Sequence, residues 1–173
     1  YRIYSNDSLY FSYVIQKATV ENNIIPTFTK LKEIGIYEPL SFLEETQIIT
    51  YNYNNNKYFI ANNYSPHDNC KRMYFSNKNA VRIDFIRNTI ESWRTQGLLE
   101  EYEYYYLLAA LIYSVPSISN ITGTYGAYLK TWDKRSFKNL ELSRLEVYDN
   151  KNLNMAYNCD ALELIDKMEG VIL

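Results

Sequence analysis

Residues 1–23 read YRIYSNDSLYFSYVIQKATVENN and combine a strand, a polar turn and a helix. Tyr1 to Tyr4 is a short β-prone run, and the polar triplet at 5–7 is a turn and helix-capping signal. A helix is predicted from Ser8 to about Asn23. This order predicts one half of a βαβ unit, with the Asp7 carboxylate at the end of its strand.

The other end of the chain has the same order of elements. A short strand is predicted at Asn154 to Tyr157, followed by the polar turn Asn158-Cys159-Asp160 and a helix from Ala161 to Met168. A further strand begins at Val171 to Leu173. Both ends therefore have α/β character, and the residues between them look like an insertion.

The intervening region is predicted to be largely helical. Ile83, Ile86, Ile90 and Trp93 recur at helical spacing and predict a helix over Asn79 to Arg94. A second helix is predicted from about Leu98 to Ser114, and Pro116 stops it.

A β-hairpin is predicted before these helices. Its strands are Ile48 to Tyr53 and Lys57 to Ala61, separated by three asparagines. The predicted class is therefore mixed α+β. The domain boundaries are 1–23 and 149–173 for two α/β segments, with 24–148 as the insertion.

Composition excludes several classes of protein. The chain has 173 residues and a net charge of −2, so a nucleic-acid surface has to be a local patch rather than a global field. Cys70 and Cys159 are too few for a disulfide framework, and a reducing cytoplasm is the expected compartment. No run of about 18 apolar residues is present, so no membrane span is expected.

The stretch SNITGTYGAYLKTW, residues 119–132, contains Gly123 and Gly126 in a chain with five glycines. The pair does not lie between a strand and a helix, as a phosphate-binding loop requires, and it predicts a twisted hairpin or bulged loop. The polar and aromatic candidates for nucleic-acid contact around it are Asn120, Thr122, Thr124, Tyr125, Tyr128 and Lys130. The basic candidates that follow are Lys134, Arg135 and Lys138. The alternative interpretation is a structural turn beside a solvated basic face.

Two carboxylates are candidates for ligand binding. Asp7 and Asp160 each follow a strand and precede a helix, where ligands of open α/β sheets bind. The alternative is that each only caps its helix. His67 and Cys70 have a ligand-like spacing, but no second pair accompanies them, so neither a metal site nor a histidine-based mechanism is predicted.

Four stretches of the chain, in order, resemble the adenine-specific DNA methyltransferases of bacterial restriction–modification systems. NITGTYGAYLKTWDKRSFK (Asn120 to Lys138) is similar to a segment of the group related to DNA adenine methylase. YSNDSLYFSYVI (Tyr4 to Ile15) resembles the second strand with its acidic tip. RMYFSNKNAVRIDFIRNTIESW (Arg72 to Trp93) resembles the helical entry to the target-recognition region of the type IIS subgroup. YNCDALELIDKMEGVIL (Tyr157 to Leu173) resembles the strand and helix before the catalytic motif.

The resemblance implies a Rossmann-like methyltransferase domain interrupted by a target-recognition region, with S-adenosylmethionine as cofactor. By position, Asp7 is similar to the acid that holds the cofactor ribose, and Asp160 to the acid near the adenine. The segment Asn120 to Lys138 matches a loop that approaches double-stranded DNA. The expected location is the bacterial cytoplasm.

The sequence also departs from the family pattern. Neither the Phe-x-Gly cofactor loop nor the Asp-Pro-Pro-Tyr motif occurs in the 173 residues. We therefore expect a fragment that contributes DNA recognition, lacks catalytic residues, does not methylate DNA alone, and binds cofactor weakly or not at all. Its other partners would be the remainder of the methyltransferase and, through exposed strand edges, further copies of itself. Two alternatives stay open: a stand-alone DNA-binding module, and a protein-interaction domain.

Overall fold

Helices dominate the described part of the protein. The structure is a computed structural model, and it describes residues 1–48, 57–124 and 126–165. Its elements in chain order are β1 (Tyr4–Asn6), α1 (Tyr10–Gln16), a π-helical turn (Lys17–Glu21), α2 (Thr29–Glu33), α3 (Pro39–Glu45), α4 (Phe59–Tyr64), α5 (Asn77–Thr95), α6 (Glu101–Ser114), a 3₁₀ turn (Val115–Ile118), a second 3₁₀ turn (Lys134–Phe137), β2 (Met155–Tyr157) and α7 (Ala161–Ile165). The prediction of a mixed α and β class is confirmed.

The two strands come from opposite ends of the chain and pair in parallel. Tyr4 lies opposite Met155, and Asn6 lies opposite Tyr157. The Met155 N–H donates to the carbonyl of Ile3 at 2.9 Å. β2 agrees with its predicted position, whereas β1 begins three residues later than predicted. The polar residues of β1 are held in the strand by pairing with β2, which sequence-local β propensity does not include.

The outer edge of β2 is occupied by a side chain. Met155 and Tyr157 hydrogen bond with β1, so the N–H of Ala156 points away from it. This N–H donates at 2.8 Å to Oε2 of Glu21, at the end of the π-helical turn. Glu21 is also paired with Lys17 one turn earlier. A carboxylate therefore takes the backbone donor that a further strand would use.

The chain divides into two compact units. The first comprises residues 1–27, 101–109 and 145–173, and the second comprises residues 28–100 and 110–144. In the first unit, the buried apolar side chains include Val14 and Ala18 from the helix after β1, and Tyr104, Tyr105 and Leu107 from α6.

The second unit is built around α5. The four residues of the predicted apolar stripe, Ile83, Ile86, Ile90 and Trp93, are all buried, which confirms the helix. Each large aliphatic side chain that is fully buried contributes about 1.5–3 kcal/mol. Ser76 caps the helix by accepting the N–H of Asn79, and Gly97, with a φ of 72°, follows its end.

The predicted hairpin is wrong in its second strand. Phe59, Ile60 and Ala61, which were assigned to that strand, lie in helix α4. The physical reason is the buried carboxylate of Asp84 on α5, which accepts the N–H groups of Ile60 at 2.9 Å and Ala61 at 2.8 Å. These are the donors that a helix leaves open at its start, so a cap from another helix overrides local β propensity. Most of the first predicted strand, from residue 49, lies outside the described residues.

The remaining predicted helices are present with shifted ends. The first predicted helix appears as α1 and the π-helical turn, and the helix predicted from Leu98 appears as α6. α7 begins at Ala161 as predicted, and the strand predicted at Val171 to Leu173 lies outside the described residues. Within the ranges the structure covers, none of the helices combines the length and apolar character that a membrane crossing requires.

Candidate nucleic-acid interface

Residues 120–129, hereafter the 120–129 loop, form a short antiparallel protrusion. The Leu129 N–H donates to the Asn120 carbonyl at 2.8 Å. One step further, Ile121 and Tyr128 form an antiparallel bridge. The predicted hairpin-like loop is therefore confirmed. Its tip residues at 122–124, 126 and 127 are exposed, and Tyr125 lies outside the described residues.

The two glycines of the loop have different roles. Gly123 has a φ of 113°, a conformation that side chains disfavour, so the bend requires glycine there. Gly126 has no such requirement. A Cβ added at Gly126 would meet only Oγ1 of Thr124 at 3.8 Å, which is an ordinary contact. The described neighbours therefore leave room for a Cβ at position 126.

Asn120 holds the loop rather than facing solvent. The residue is fully buried. Its Nδ2 donates to the Leu129 carbonyl at 3.0 Å, and its Oδ1 accepts the N–H of Asp133 at 2.9 Å. Ser136 Oγ lies 3.4 Å from the same oxygen. Asn120 was predicted to contact DNA, but its side chain is engaged in hydrogen bonds within the protein. We therefore assign Asn120 a positioning role.

The 3₁₀ turn at Lys134–Phe137 begins directly after Asp133, whose N–H is bound by Asn120. Asp133 caps it by accepting the Arg135 N–H at 3.0 Å. The Arg135 guanidinium is half-buried and donates to the carbonyl of Ile121 in the 120–129 loop. Arg135 therefore fixes the turn to the loop, and only part of its guanidinium is open to a phosphate.

Tyr74 and Asn79 anchor the 120–129 loop and the 3₁₀ turn at Lys134–Phe137. The Asn120 N–H donates to the carbonyl of Tyr74 at 2.8 Å, and the rings of Tyr74 and Tyr128 meet edge to face at 5.1 Å. The buried Asn79 donates through Nδ2 to the carbonyls of Ser136 and Lys138, both at 2.9 Å. Sequence reasoning missed Tyr74 and Asn79, because their partners lie more than 40 residues away.

The predicted contact residues differ in accessibility. The exposed ones are Thr122, Thr124, Lys130, Lys134 and Lys138. Tyr128 is half-buried against Tyr74. The ammonium groups of Lys130, Lys134 and Lys138 form no ion pair with a residue in the described ranges. Three unneutralised cations beside an exposed loop are a suitable arrangement for meeting phosphates.

Asp7 and Asp160 lie at the carboxyl ends of the two paired strands. Each Oδ1 accepts the N–H two residues further on, that of Leu9 or Leu162, at 2.8 Å. For Asp160, which immediately precedes α7, this is the capping geometry that the alternative interpretation predicts. Asp7 instead forms a turn ahead of α1, which begins at Tyr10 and has no side-chain cap. Each Oδ2 has no protein donor among the residues the structure describes. One oxygen of each carboxylate thus remains available to an external hydroxyl or amine.

Asn6 ties the ends of the two strands together. Its Nδ2 donates to the Cys159 carbonyl at 3.1 Å, and its Oδ1 accepts the Cys159 N–H at 3.2 Å. Asn158 adds a bond from Nδ2 to the carbonyl of Asp7 at 2.8 Å. The turns that carry Asp7 and Asp160 are therefore held beside each other at the carboxyl ends of the two strands.

His67 and Cys70 belong to a closed turn. Their backbones form an antiparallel bridge. The His67 ring contacts the Asn62 carbonyl through Nε2 at 2.8 Å, and Cys70 Sγ points to the Asn63 carbonyl at 3.5 Å. Within the described ranges, no three His, Cys, Asp or Glu side chains are grouped so that they could hold a metal ion.

Comparisons with known proteins agree on one family. The family model described as D12 class N6 adenine-specific DNA methyltransferase matches residues 1–173. The type II methyltransferase M.FokI of Planomicrobium okeanokoites is 52% identical over 173 residues, which is 100% of this chain and 26% of the relative. No solved structure is significantly similar to the chain.

Two further relatives are modification methylases. StsI of Streptococcus sanguinis is 49% identical over 174 residues, covering 99% of this chain and 25% of the relative. LlaI of Lactococcus lactis subsp. lactis is 35% identical over 175 residues, covering 99% of this chain and 27% of the relative. The chain thus spans about a quarter of the length of these three relatives.

Proposed function

Because the chain belongs to the family of D12 class N6 adenine-specific DNA methyltransferases, we propose that it supplies DNA recognition to such an enzyme. The whole enzyme would transfer a methyl group from S-adenosylmethionine to the exocyclic nitrogen of an adenine in double-stranded DNA. The observation that carries this proposal is the exposed tip of the 120–129 loop, followed by three lysines that form no ion pair with a described residue.

In this proposal the 120–129 loop and residues 133–138, hereafter the basic turn, contribute different contacts. Thr122 and Thr124 at the tip, together with Tyr125, meet base edges or sugar, since hydroxyl groups can donate and accept. Lys130, Lys134 and Lys138 meet phosphates and supply most of the affinity. Tyr128 and Arg135 are fixed by contacts within the protein, and they orient the loop while adding a ring and a partly open guanidinium.

The strand ends fit a place beside the cofactor. Asp7 and Asp160 each retain a carboxylate oxygen at the carboxyl end of a parallel strand, where α/β sheets bind nucleotides. Asp7 would hold the ribose and Asp160 would lie near the adenine. When bound, S-adenosylmethionine supplies the methyl group. The pair β1–β2 would then belong to a Rossmann-like sheet, with residues 1–23 and 149–173 in the methyltransferase domain and 24–148 in target recognition.

Binding to duplex DNA tests the recognition role. We expect the 173-residue chain to bind duplex DNA at low salt, with log K falling by about 0.9 per phosphate contact for each unit of log salt. Fluorescence anisotropy across a salt series measures this slope. A chain that does not bind duplex DNA at low salt would contradict the proposal and favour a protein-interaction domain.

Methyl transfer tests the predicted dependence on the rest of the enzyme. We expect no incorporation of radiolabelled methyl groups into duplex DNA by the purified chain, because its 173 residues contain no Asp-Pro-Pro-Tyr motif to hold a flipped adenine. A full-length methyltransferase of the family, assayed on the same DNA, is the positive control. Turnover by the chain above background would show that it carries its own catalytic centre.

Substituting Gly126 by valine tests whether the loop approaches DNA closely. The structure accommodates a Cβ at this position, so we expect unchanged thermal stability and a loss of DNA affinity of about tenfold, equivalent to about 1.4 kcal/mol. Thr95→Val, at an exposed uncharged position outside residues 65–78 and 119–139, is the matched control. Equal affinities of the two variants would show that the backbone of the loop tip does not contact DNA.

A further inference from the structure

We propose that the DNA-contact surface of the second unit includes residues 65–78, hereafter the 65–78 segment, in addition to residues 119–139. This inference rests on the proposed function and extends it to a segment that the sequence alone did not single out for DNA contact. Its partner would be the phosphate backbone of the same duplex that the 120–129 loop approaches.

Charge separates these two segments from the rest of the protein. Together they carry seven Lys and Arg side chains against two Asp and no Glu, in a chain whose net charge is −2. The other residues carry eleven basic and eighteen acidic side chains. A basic surface on a weakly acidic protein indicates a local polyanion site, because concentrated positive charge attracts polyanions such as the phosphate backbone.

Hydrogen bonds between backbone and side-chain groups place the two segments side by side. At one end, the N–H of Asn120 donates to the carbonyl of Tyr74 at 2.8 Å. At the other end, Lys78 Nζ lies 2.6 Å from Asn139 Oδ1, and the neighbouring Asn79 binds two carbonyls of the basic turn. The C-terminal half of the 65–78 segment is therefore joined to both ends of residues 119–139, and we infer that their charges contribute to one surface.

A row of aromatic rings continues from the loop into the 65–78 segment. Tyr128 meets Tyr74 at 5.1 Å, and Tyr74 meets Tyr64 at 5.6 Å, both edge to face. The Arg72 guanidinium carbon lies 5.9 Å from the Tyr64 ring centroid, and Nη1 of Arg72 donates to the Asn63 carbonyl at 3.1 Å. Such pairs restrict side-chain motion, so less conformational entropy is lost on binding.

Lys71 and Arg72 are the residues through which this segment would act. Both are exposed, and neither forms an ion pair with a described residue. Arg72 uses one nitrogen internally, which leaves further N–H donors of its planar guanidinium for a phosphate oxygen. The ring row fixes the position of this donor relative to Tyr128 at the base of the 120–129 loop. The loop would then read the groove while Lys71 and Arg72 hold the adjacent backbone.

The double variant Lys71→Ala/Arg72→Ala tests the proposal on the full 173-residue chain. We expect DNA affinity at about 0.1 M salt to fall about tenfold or more, and the salt slope to become shallower by about 1.8, the value for two lost phosphate contacts. The matched control is Lys32→Ala/Arg87→Ala, which removes the same two residue types at exposed helical positions. Circular dichroism and thermal unfolding check that both variants remain folded.

The outcomes separate this inference from the proposed function. A shallower slope in Lys71→Ala/Arg72→Ala but not in Lys32→Ala/Arg87→Ala supports it. Equal slopes in these two variants, combined with weaker binding by Lys134→Ala/Lys138→Ala, would overturn the role of the 65–78 segment while leaving DNA recognition intact. No binding by the unaltered chain at low salt would overturn both.

Discussion

Replacing Asn120 by alanine is expected to lower the free energy of unfolding of the second unit by about 3 kcal/mol. The side chain is fully buried, and its amide serves the carbonyl of Leu129 and the N–H of Asp133. Alanine leaves both backbone groups without their partners and opens a small cavity, so the loop and the basic turn lose their common anchor.

Amide hydrogen exchange gives the most direct readout of this change. In Asn120→Ala, the Asp133 N–H is expected to exchange much faster, while amides in the middle of α5 keep their protection. Asn69→Ala is the control, because Asn69 is exposed in the same unit, and it is expected to change stability by less than about 0.5 kcal/mol. Unchanged protection at Asp133 in Asn120→Ala would show that the amide does not hold the turn.

Replacing Asp84 by alanine is expected to cost about 2–4 kcal/mol at neutral pH. The buried carboxylate accepts the N–H groups of Ile60 and Ala61 and is the only side-chain cap that the structure describes for α4. Without it, two backbone donors at the start of α4 lose their partners, and the helix has no local capping residue to replace it. Urea unfolding monitored by circular dichroism measures the loss, with exposed Asp68→Ala as control.

The pH dependence of stability provides a second test of Asp84. Burial raises the pKa of this carboxyl above its ordinary value of 3.8, and the N–H bonds from Ala61 and Ile60 and the charge of Arg87 only partly oppose it. Because the pKa of Asp84 is higher in the folded state, the folded state keeps the proton up to a higher pH than the unfolded state does. Stability from this group is therefore fully present below the ordinary pKa and is lost as pH rises through the folded pKa.

Asp84→Asn isolates this contribution. We expect the difference in unfolding free energy between the unaltered chain and Asp84→Asn to be largest near pH 3.5 and to decline to a plateau at higher pH. Asp68→Asn provides the comparison at an exposed position. A difference that instead grows as pH rises would show that the folded state favours the ionised carboxyl.

Patterns within a single element were predictable from the sequence. The apolar stripe of α5 and the polar turn that precedes α7 depend on neighbours within a few residues, and the structure contains both. The turn predicted at residues 5–7 is only partly present, because Ser5 and Asn6 belong to β1. The bend at Gly123 was also predictable, because positive φ favours glycine at this position.

Features that depend on distant partners were not predictable. α4 was assigned to a strand because its cap, Asp84, lies more than 20 residues along the chain. Asn120 has the residue type of a base-reading side chain, yet burial directs its amide to backbone groups. The sequence gives residue type and spacing, whereas side-chain direction depends on packing between segments. For the same reason Lys71 and Arg72 were not connected with the 120–129 loop.

The carboxylate of Glu21 on the outer edge of β2 has a consequence for how the protein can assemble. Of the two outer edges of the described sheet, one has its central N–H bound to Glu21, and the other, along β1, has no strand beside it. If a second copy added a strand to the described sheet, it would do so along β1. Two copies that met in this way would form a closed pair with no free edge in the described part of the sheet, which favours finite complexes over a fibre.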